Sequence, residues 1–594
     1  MTESEKMTWD LSQMVEFDDP GYIEERLTAL VKAAEEFRDK YRGKIESFGA
    51  KEVFDMYESL NELELQYEGP INYSRLMYTA NMNDEVASRL YDKFRTAYSL
   101  LMQAVAFLDL ELGALLAKRP ELVNDTILTE YKHSLEKIQR RTPHMLTELE
   151  EQAVIAKDTN GIRAWSMLQG DWLASRTFDI EIDGEMKTLP YGEIIGLYEH
   201  PDRDLRKRAH EVVYDGLGKD HIVWASALRS VFADHLTMVK LRKWDSPMTQ
   251  SFISNDVDEE TIIALLNTME KNVGVYQDYL KLKAKVMGLK KLGNWDIDAP
   301  LPNSPDKKYT WEDAREMIVE AYSDFDPEVG NWMDEMYERR HIDGVVRNGK
   351  RSGAFCATWH AGQSAYILQS FNGIMGDLFT QAHELGHAMH AYLGTRAQKP
   401  HNYEIGSCIA ETGSIFGELL LAEKLLGKEG TNEEKQAVLA AILDGFGGAG
   451  YQVTTRVWFE TMLYEAIGKG KFLDGEKISE LWLKAREKMY GDSVEWLPEM
   501  KWWWTMKLHF YMPNYRYYNY PYVYAQLFVY AMYRLYKEQG KEFVPKLKAL
   551  LAAGSSRSPR DLAADIGFDV TTEEFWQKGI DQFSEFVKMF EETI

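Results

Sequence analysis

The stretch 377–392, DLFTQAHELGHAMHAY, limits what this chain can fold into more than any other. Within it His383, Glu384 and His387 spell H-E-x-x-H. A helix turns about 100° per residue, which puts His383 and His387 about 40° apart on one face, one turn along. Two imidazoles so spaced can share one zinc ion, and the carboxylate between them can reach a water on that ion. Leu378, Ala382, Leu385, Met389 and Tyr392 fall on the opposite side. The spacing therefore predicts a helix with one face docked in a core and the other turned to a site.

A zinc site with catalytic use needs a third protein ligand and an open position. His390 shares the face of His387 but sits poorly for the same ion, so it reads as a supporting or packing residue. The metzincin pattern asks for His at 393, where this chain has Leu393, and that class is excluded. Glu411 follows His387 by 24 positions, in the run CIAETGSIFGELLLAEKL, which Ser407 is placed to cap. Its neighbours Ala410, Gly413 and Ser414 are small enough to let this helix approach the motif helix. Glu404 and Glu418 compete, but Glu404 reads as loop, and Glu418, two turns on, suits a hydrogen bond to a ligand better than the ion itself. Glu411 is the expected third ligand. Zinc would then activate water, with Glu384 taking its proton and delivering it to the departing amine.

Two further segments bear on the site. The runs 354–359 and 365–371 are rich in strand formers and predict two or three strands just before the motif helix. A strand beside the metal can pair with an extended peptide, and Ala365 and Ile367 are the expected contacts. The segment 502–530 holds His509, the last histidine, and Tyr517, Tyr522 and Tyr524 in a run broken by Pro513, Asn514, Asn519 and Pro521. Its tyrosines and histidine predict an active-site wall, with Tyr524, Tyr517 and His509 as donors to an oxyanion and Tyr522 as a substrate contact.

The remainder is mainly helical in pattern. Residues 1–200 read as an N-terminal helical lobe and 201–594 as a catalytic lobe. In the former, Gly69-Pro70 is expected to end one helix and 71–118 to carry another, and 176–189 predicts a hairpin turning at Asp183-Gly184. Residues 289–309, with Pro300, Pro302 and Pro305, read as a loop. A net charge of −26 opposes binding to nucleic acid or an anionic membrane surface. Cys356 and Cys408 alone make no disulfide framework and fit a reducing compartment, as small apolar residues rather than ligands. The N-terminus has no signal-peptide pattern and no run of 18 apolar residues is apparent, so the expectation is a cytoplasmic protein with no membrane partner.

GKRSGAF at 349–355, AYILQSFNG at 365–373, HELGHAMHAY at 383–392 and IAETGSIFGE at 409–418 resemble the oligoendopeptidase F branch of the thimet oligopeptidase family. WDLS at 9–12 and HFY at 509–511 are similar to it as well. The resemblance implies two helical lobes around a deep channel, with a small β-sheet beside the zinc helix. It also implies one zinc ion per chain and cleavage of short unfolded oligopeptides at internal bonds. By residue match, His383, His387 and Glu411 would be ligands, Glu384 the base and Tyr524 the oxyanion donor. Helical H-E-x-x-H carboxypeptidases share the same ligand set, and an inactive peptide-binding protein is the alternative outside enzymes.

Overall fold

In the computed structural model, residues 2–302, 307–428 and 430–594 are described. Among the described residues the chain is mainly helical, with three small sheets. It folds into two units, each assembled from three separated stretches: 1–142, 306–429 and 532–569 in the first, and 143–305, 430–531 and 570–594 in the second. This differs from a sequential division at residue 200. The motif helix belongs to the same unit as the N-terminal helices, rather than to that of residues 143–305 and 430–531.

In the first unit, helices α1 (Pro20–Tyr41), α2 (Ala50–Ala80) and α3 (Glu85–Val105) enclose an apolar core that includes Leu27, Leu30, Tyr57, Leu60 and Leu90. Helix α2 runs straight through Gly69-Pro70, where the sequence predicts an end. A proline inside a helix leaves the carbonyl four residues back without its partner. Here Arg26 Nη2 donates to that carbonyl, Gln66 O, at 3.2 Å. The break falls instead at 81–84, after which the Asp84 carboxylate caps α3 through the Ala87 N–H. The stretch Glu85–Lys118 is long and apolar enough, by length and composition, to cross a membrane, contrary to the reading of the sequence. Leu90, Leu101, Leu112 and Leu116 on it are buried in the core of the first unit.

The sheet that matters for the site has strands β1 (Ile342–Asp343), β2 (Phe355–Trp359) and β3 (Ser364–Leu368), in spatial order β1-β3-β2. Strand β3 pairs parallel with β1 and antiparallel with β2. After the sheet comes the motif helix α4 (Met375–Ala397), then α5 (Thr412–Leu426). The second unit contains the predicted hairpin, strands Thr177–Ile182 and Glu185–Pro190, with Phe178 and Ile180 buried. Both turn residues, Asp183 and Gly184, have positive φ, as a two-residue hairpin turn that follows strand twist requires. In the predicted loop 289–309, Leu292–Gly293 pairs with Val494–Glu495, and Pro305 lies outside the described residues.

Candidate metal centre

Helix α4 is buried on almost every side. Leu378, Ala382, Leu385, Met389 and Tyr392 are fully buried, as the periodicity predicts, while His383 and His387 keep partial exposure into a cavity. Helix α5 crosses it at van der Waals distance through glycines. A Cβ on Gly386 would lie 2.2 Å from Gly413 O, and one on Gly413 would lie 2.4 Å from Gly386 O. Gly417 is closed in the same way by Tyr322, whose hydroxyl donates to Ala382 O at 2.7 Å. No side chain fits between the helices. The small residues therefore set the spacing that brings Glu411 to the histidines.

Glu411 stands at a break rather than inside a helix. Ser407–Ala410 forms one short turn with Gly406 before it, so Ser407 does not cap, and α5 restarts after Glu411. From that position Glu411 Oε2 lies 3.3 Å from His383 Nε2 and 3.4 Å from His387 Nε2. The three ligand atoms all fall within 4.8 Å of one another. Ser414 Oγ donates to the same carboxylate oxygen at 2.6 Å. On the far side of the His383 ring, Glu418 Oε1 is 2.6 Å from Nδ1, which fixes the ring and leaves Nε2 aimed at the shared point. Glu404, the other competitor, takes no part in this convergence.

The electrostatics suit a cation. Burial disfavours a charged His383, but hydrogen bonds to Glu411 and Glu418 outweigh it and raise its pKa to about 10. Burial raises the Glu411 carboxyl, and the two imidazoles more than reverse that, holding it far below the ordinary carboxylate range. Two imidazoles and a carboxylate aimed at one point are the donor set zinc takes. The residues fit the ion.

Glu384 and His390 line the same cavity, of about 470 Å³. Burial raises the Glu384 carboxyl, with Glu411 and Glu418 adding to the effect and the imidazoles opposing it. Its Oε2 is buried without a hydrogen-bond partner among the described residues. His390 is 2% exposed, burial lowers its pKa to about 3, and neither ring nitrogen has a partner among the described residues. Cys356 lines the cavity as well and is half-buried, while Cys408 is fully buried, and neither is in a disulfide.

The strand reading needs a correction. Ala365 and Ile367 lie in β3, the central strand, and are fully buried with a neighbour on each side. They are not available to a peptide. Ile367 N and Gln369 N bond to His341 O and Asp343 O on the β1 side, so Ser364, Tyr366 and Leu368 face β2. In that register Phe355, Ala357 and Trp359 answer them, and the backbone of Cys356 and Thr358 points to the outer edge. Thr358 O accepts from Asn72 Nδ2 at 3.1 Å. The cavity is lined at this edge by Ala354, Phe355, Cys356 and Thr358. The residues that sequence reasoning misses are those of β2, whose position at the edge depends on the long-range β1–β3 pairing.

His509, Tyr517, Tyr522 and Tyr524 all belong to the second unit. Tyr524 is fully buried and meets Trp576 edge-on at 4.9 Å. Tyr517 has a φ of 52°, and its N–H donates to the buried Glu460 carboxylate at 2.9 Å. The His509 ring stacks on Tyr518, and burial lowers its pKa to about 4. Tyr522 is 40% exposed, its hydroxyl 2.7 Å from that of Tyr518.

The chain is similar to known proteins along most of its length. Oligopeptidase PepF of Bacillus subtilis is 26% identical over 565 residues, covering 93% of this chain and 83% of that protein. An oligoendopeptidase F homolog of Lactococcus lactis is 26% identical over 616 residues, covering 100% and 98%. A putative peptidase from Chlamydophila abortus has the same fold, with a TM-score of 0.89 at 20% identity over 100% of this chain and 99% of that one. Oligoendopeptidase-F from Enterococcus faecium superposes with a TM-score of 0.68 at 22% identity, covering 96% and 99%. The family description Oligopeptidase F matches residues 117–178, and Peptidase family M3 matches 197–582, a stretch that includes the converging histidines, Glu384 and Glu411. With nearly two thirds of its length matched, the chain belongs to peptidase family M3.

Proposed function

We propose that this protein is a zinc-dependent endopeptidase that hydrolyses internal bonds of short, unstructured oligopeptides. The observation that carries the reading is the convergence of His383, His387 and Glu411 on one point beside the buried, unpartnered Glu384 oxygen. One zinc ion per chain would be held by those three side chains. When bound, zinc lowers the pKa of a water and polarises a carbonyl.

The chain's own residues do the rest. Glu384 takes the proton of the attacking water on its carboxylate and passes it to the leaving amine. Burial raises its pKa, which makes the carboxylate a stronger base for the first half of that task. Glu418 holds His383 in the tautomer that presents Nε2. The outer edge of β2 binds the substrate backbone, so affinity comes from main-chain hydrogen bonds and tolerates varied side chains. Tyr524 as oxyanion donor is supported by the family resemblance, and Tyr517 and His509 as its helpers and Tyr522 as a substrate contact by their place in the same tyrosine-rich segment.

Cleavage of a peptide blocked at its C-terminus, mapped by mass spectrometry with and without a chelator, tests the reading. Internal cuts that survive the block and disappear with the chelator are expected. Loss of cutting on blocking the C-terminus would favour a carboxypeptidase. Cutting that persists in the chelator would overturn the zinc assignment.

A further inference from the structure

A second cavity, of about 340 Å³, lies in the first unit and shares two walls with the metal cavity. Those walls are Thr358 and Tyr403, whose hydroxyls are 2.9 Å apart. Beyond them the second cavity is an apolar groove between α2 and α3, with Leu60, Leu63, Tyr67 and Ile71 on one side and Leu101 and Val105 on the other. Its rim is open: Leu65 is 38% exposed, Tyr98 44% and Met102 50%. Apolar rim residues on a helix whose other face is core are costly in water unless something covers them.

The sheet edge leads to this groove. Strand β2 passes the metal cavity at Ala354–Thr358 and reaches the groove at Thr358 and His360. The turn after β2 is pinned there by α2, because His360 N and Ala361 N donate to the Glu68 carboxylate at 2.6 and 2.8 Å. An extended chain rises about 3.3 Å per residue, so Cys356 to His360 spans roughly 13 Å. A peptide paired at Cys356 and running on past Thr358, whose carbonyl Asn72 already holds, would bring a side chain three or four residues from the scissile bond to the groove. Glu64 and Glu68 on its wall make an acidic side chain a poor occupant.

We propose that the α2–α3 groove is a remote specificity site that receives a large apolar side chain, of the Leu or Phe class, three or four residues from the scissile bond of the peptide. The inference rests on the peptidase reading above. It gives the enzyme selectivity at a distance from the metal, where main-chain pairing offers none.

The test uses the full-length protein and quenched peptides of ten residues in a Gly/Ser/Ala background, with one Leu moved through every position and cut sites read by mass spectrometry. In the unaltered protein, Leu at one remote position should raise kcat/KM about tenfold over Gly. In the Leu65→Glu/Met102→Glu double variant that preference should fall within twofold, while peptides with Gly there are cleaved at the original rate. Met102→Lys should shift the preference toward Glu at the same position. Both altered residues lie on the rim, so the core of the helices is untouched. The proposal is overturned if the Leu preference survives the double variant, or if all peptides slow equally. It is also overturned if the double variant loses binding to phosphatidylglycerol vesicles with peptide preference intact, which would assign the rim to a lipid surface. Absence of any Glu384-dependent cleavage by the unaltered protein would instead defeat the peptidase reading itself.

Discussion

The first unit holds two cavities that share Thr358 and Tyr403 and are otherwise opposites. The metal cavity is walled by titratable groups, of which His383 and Glu411 are held by hydrogen bonds to Glu418 and Ser414, and its donor atoms converge to within 4.8 Å. The groove is walled mostly by Leu, Ile, Val, Met and Tyr side chains, with Glu64, Glu68 and His360 among them. The difference separates making a bond labile from choosing which bond. Chemistry needs charges fixed to a few tenths of an ångström, which packed helices supply. Selection needs only apolar area that prefers one side chain over another by the few kcal/mol that burial confers. Changes in the first cavity should therefore act on all substrates alike, and changes in the second on some.

The largest expected effect is at Glu384. Glu384→Gln keeps the shape and removes the proton acceptor, so kcat should fall by about 10²–10⁴-fold for every peptide. Zinc content, read by atomic absorption, should stay at one per chain. Glu411→Ala should lose the metal as well as the activity. Turnover that survives Glu384→Gln would remove Glu384 from the chemistry. A Glu411→Ala protein that keeps zinc would move the third ligand elsewhere.

What the sequence discloses differs between the two cavities for the same physical reason. His383 and His387 are legible because their geometry is local, four residues apart on one helix. Glu411 is reachable because Gly413 and Ser414 beside it imply a close helix crossing. The sequence favours β3 over β2, since alternating side chains show that a strand exists but not which of its edges is covered. The covering strand, Ile342–Asp343, is only two residues long. Pro70 misleads in the same way, because the group that tolerates it, Arg26, is 44 positions away. The groove draws its walls from α2, α3, β2 and the Pro400–Tyr403 turn, and no local pattern announces such an assembly.

The next effect in size concerns the crossing that separates the metal cavity from an ordinary pair of packed helices. Gly386→Ala places a methyl where only 2.2 Å is free to Gly413 O. The helices must move apart, at a cost of about 1–3 kcal/mol. Denaturant unfolding should show that loss, and zinc affinity should drop with it because Glu411 retreats. Gly445→Ala, with nothing within 4 Å of its added Cβ, serves as the control. A Gly386→Ala protein of unchanged stability would show that the crossing is not what sets the position of Glu411.

The smallest effect expected is at Glu418, which would act on a bound metal only through His383. Glu418→Gln keeps a hydrogen-bond acceptor for Nδ1 but removes the negative charge behind the ring. Zinc affinity, measured by competition with a chelator, should weaken by about 10–100-fold. At saturating zinc most of the activity should return, and the preference among peptides should not change. That last point sharpens the contrast between the cavities. A Glu418→Gln protein with an altered preference at the remote position would mean that the two sites are coupled through β2 and Tyr403. An unaltered preference with weakened zinc binding would keep metal retention and substrate choice as separate properties of adjacent walls.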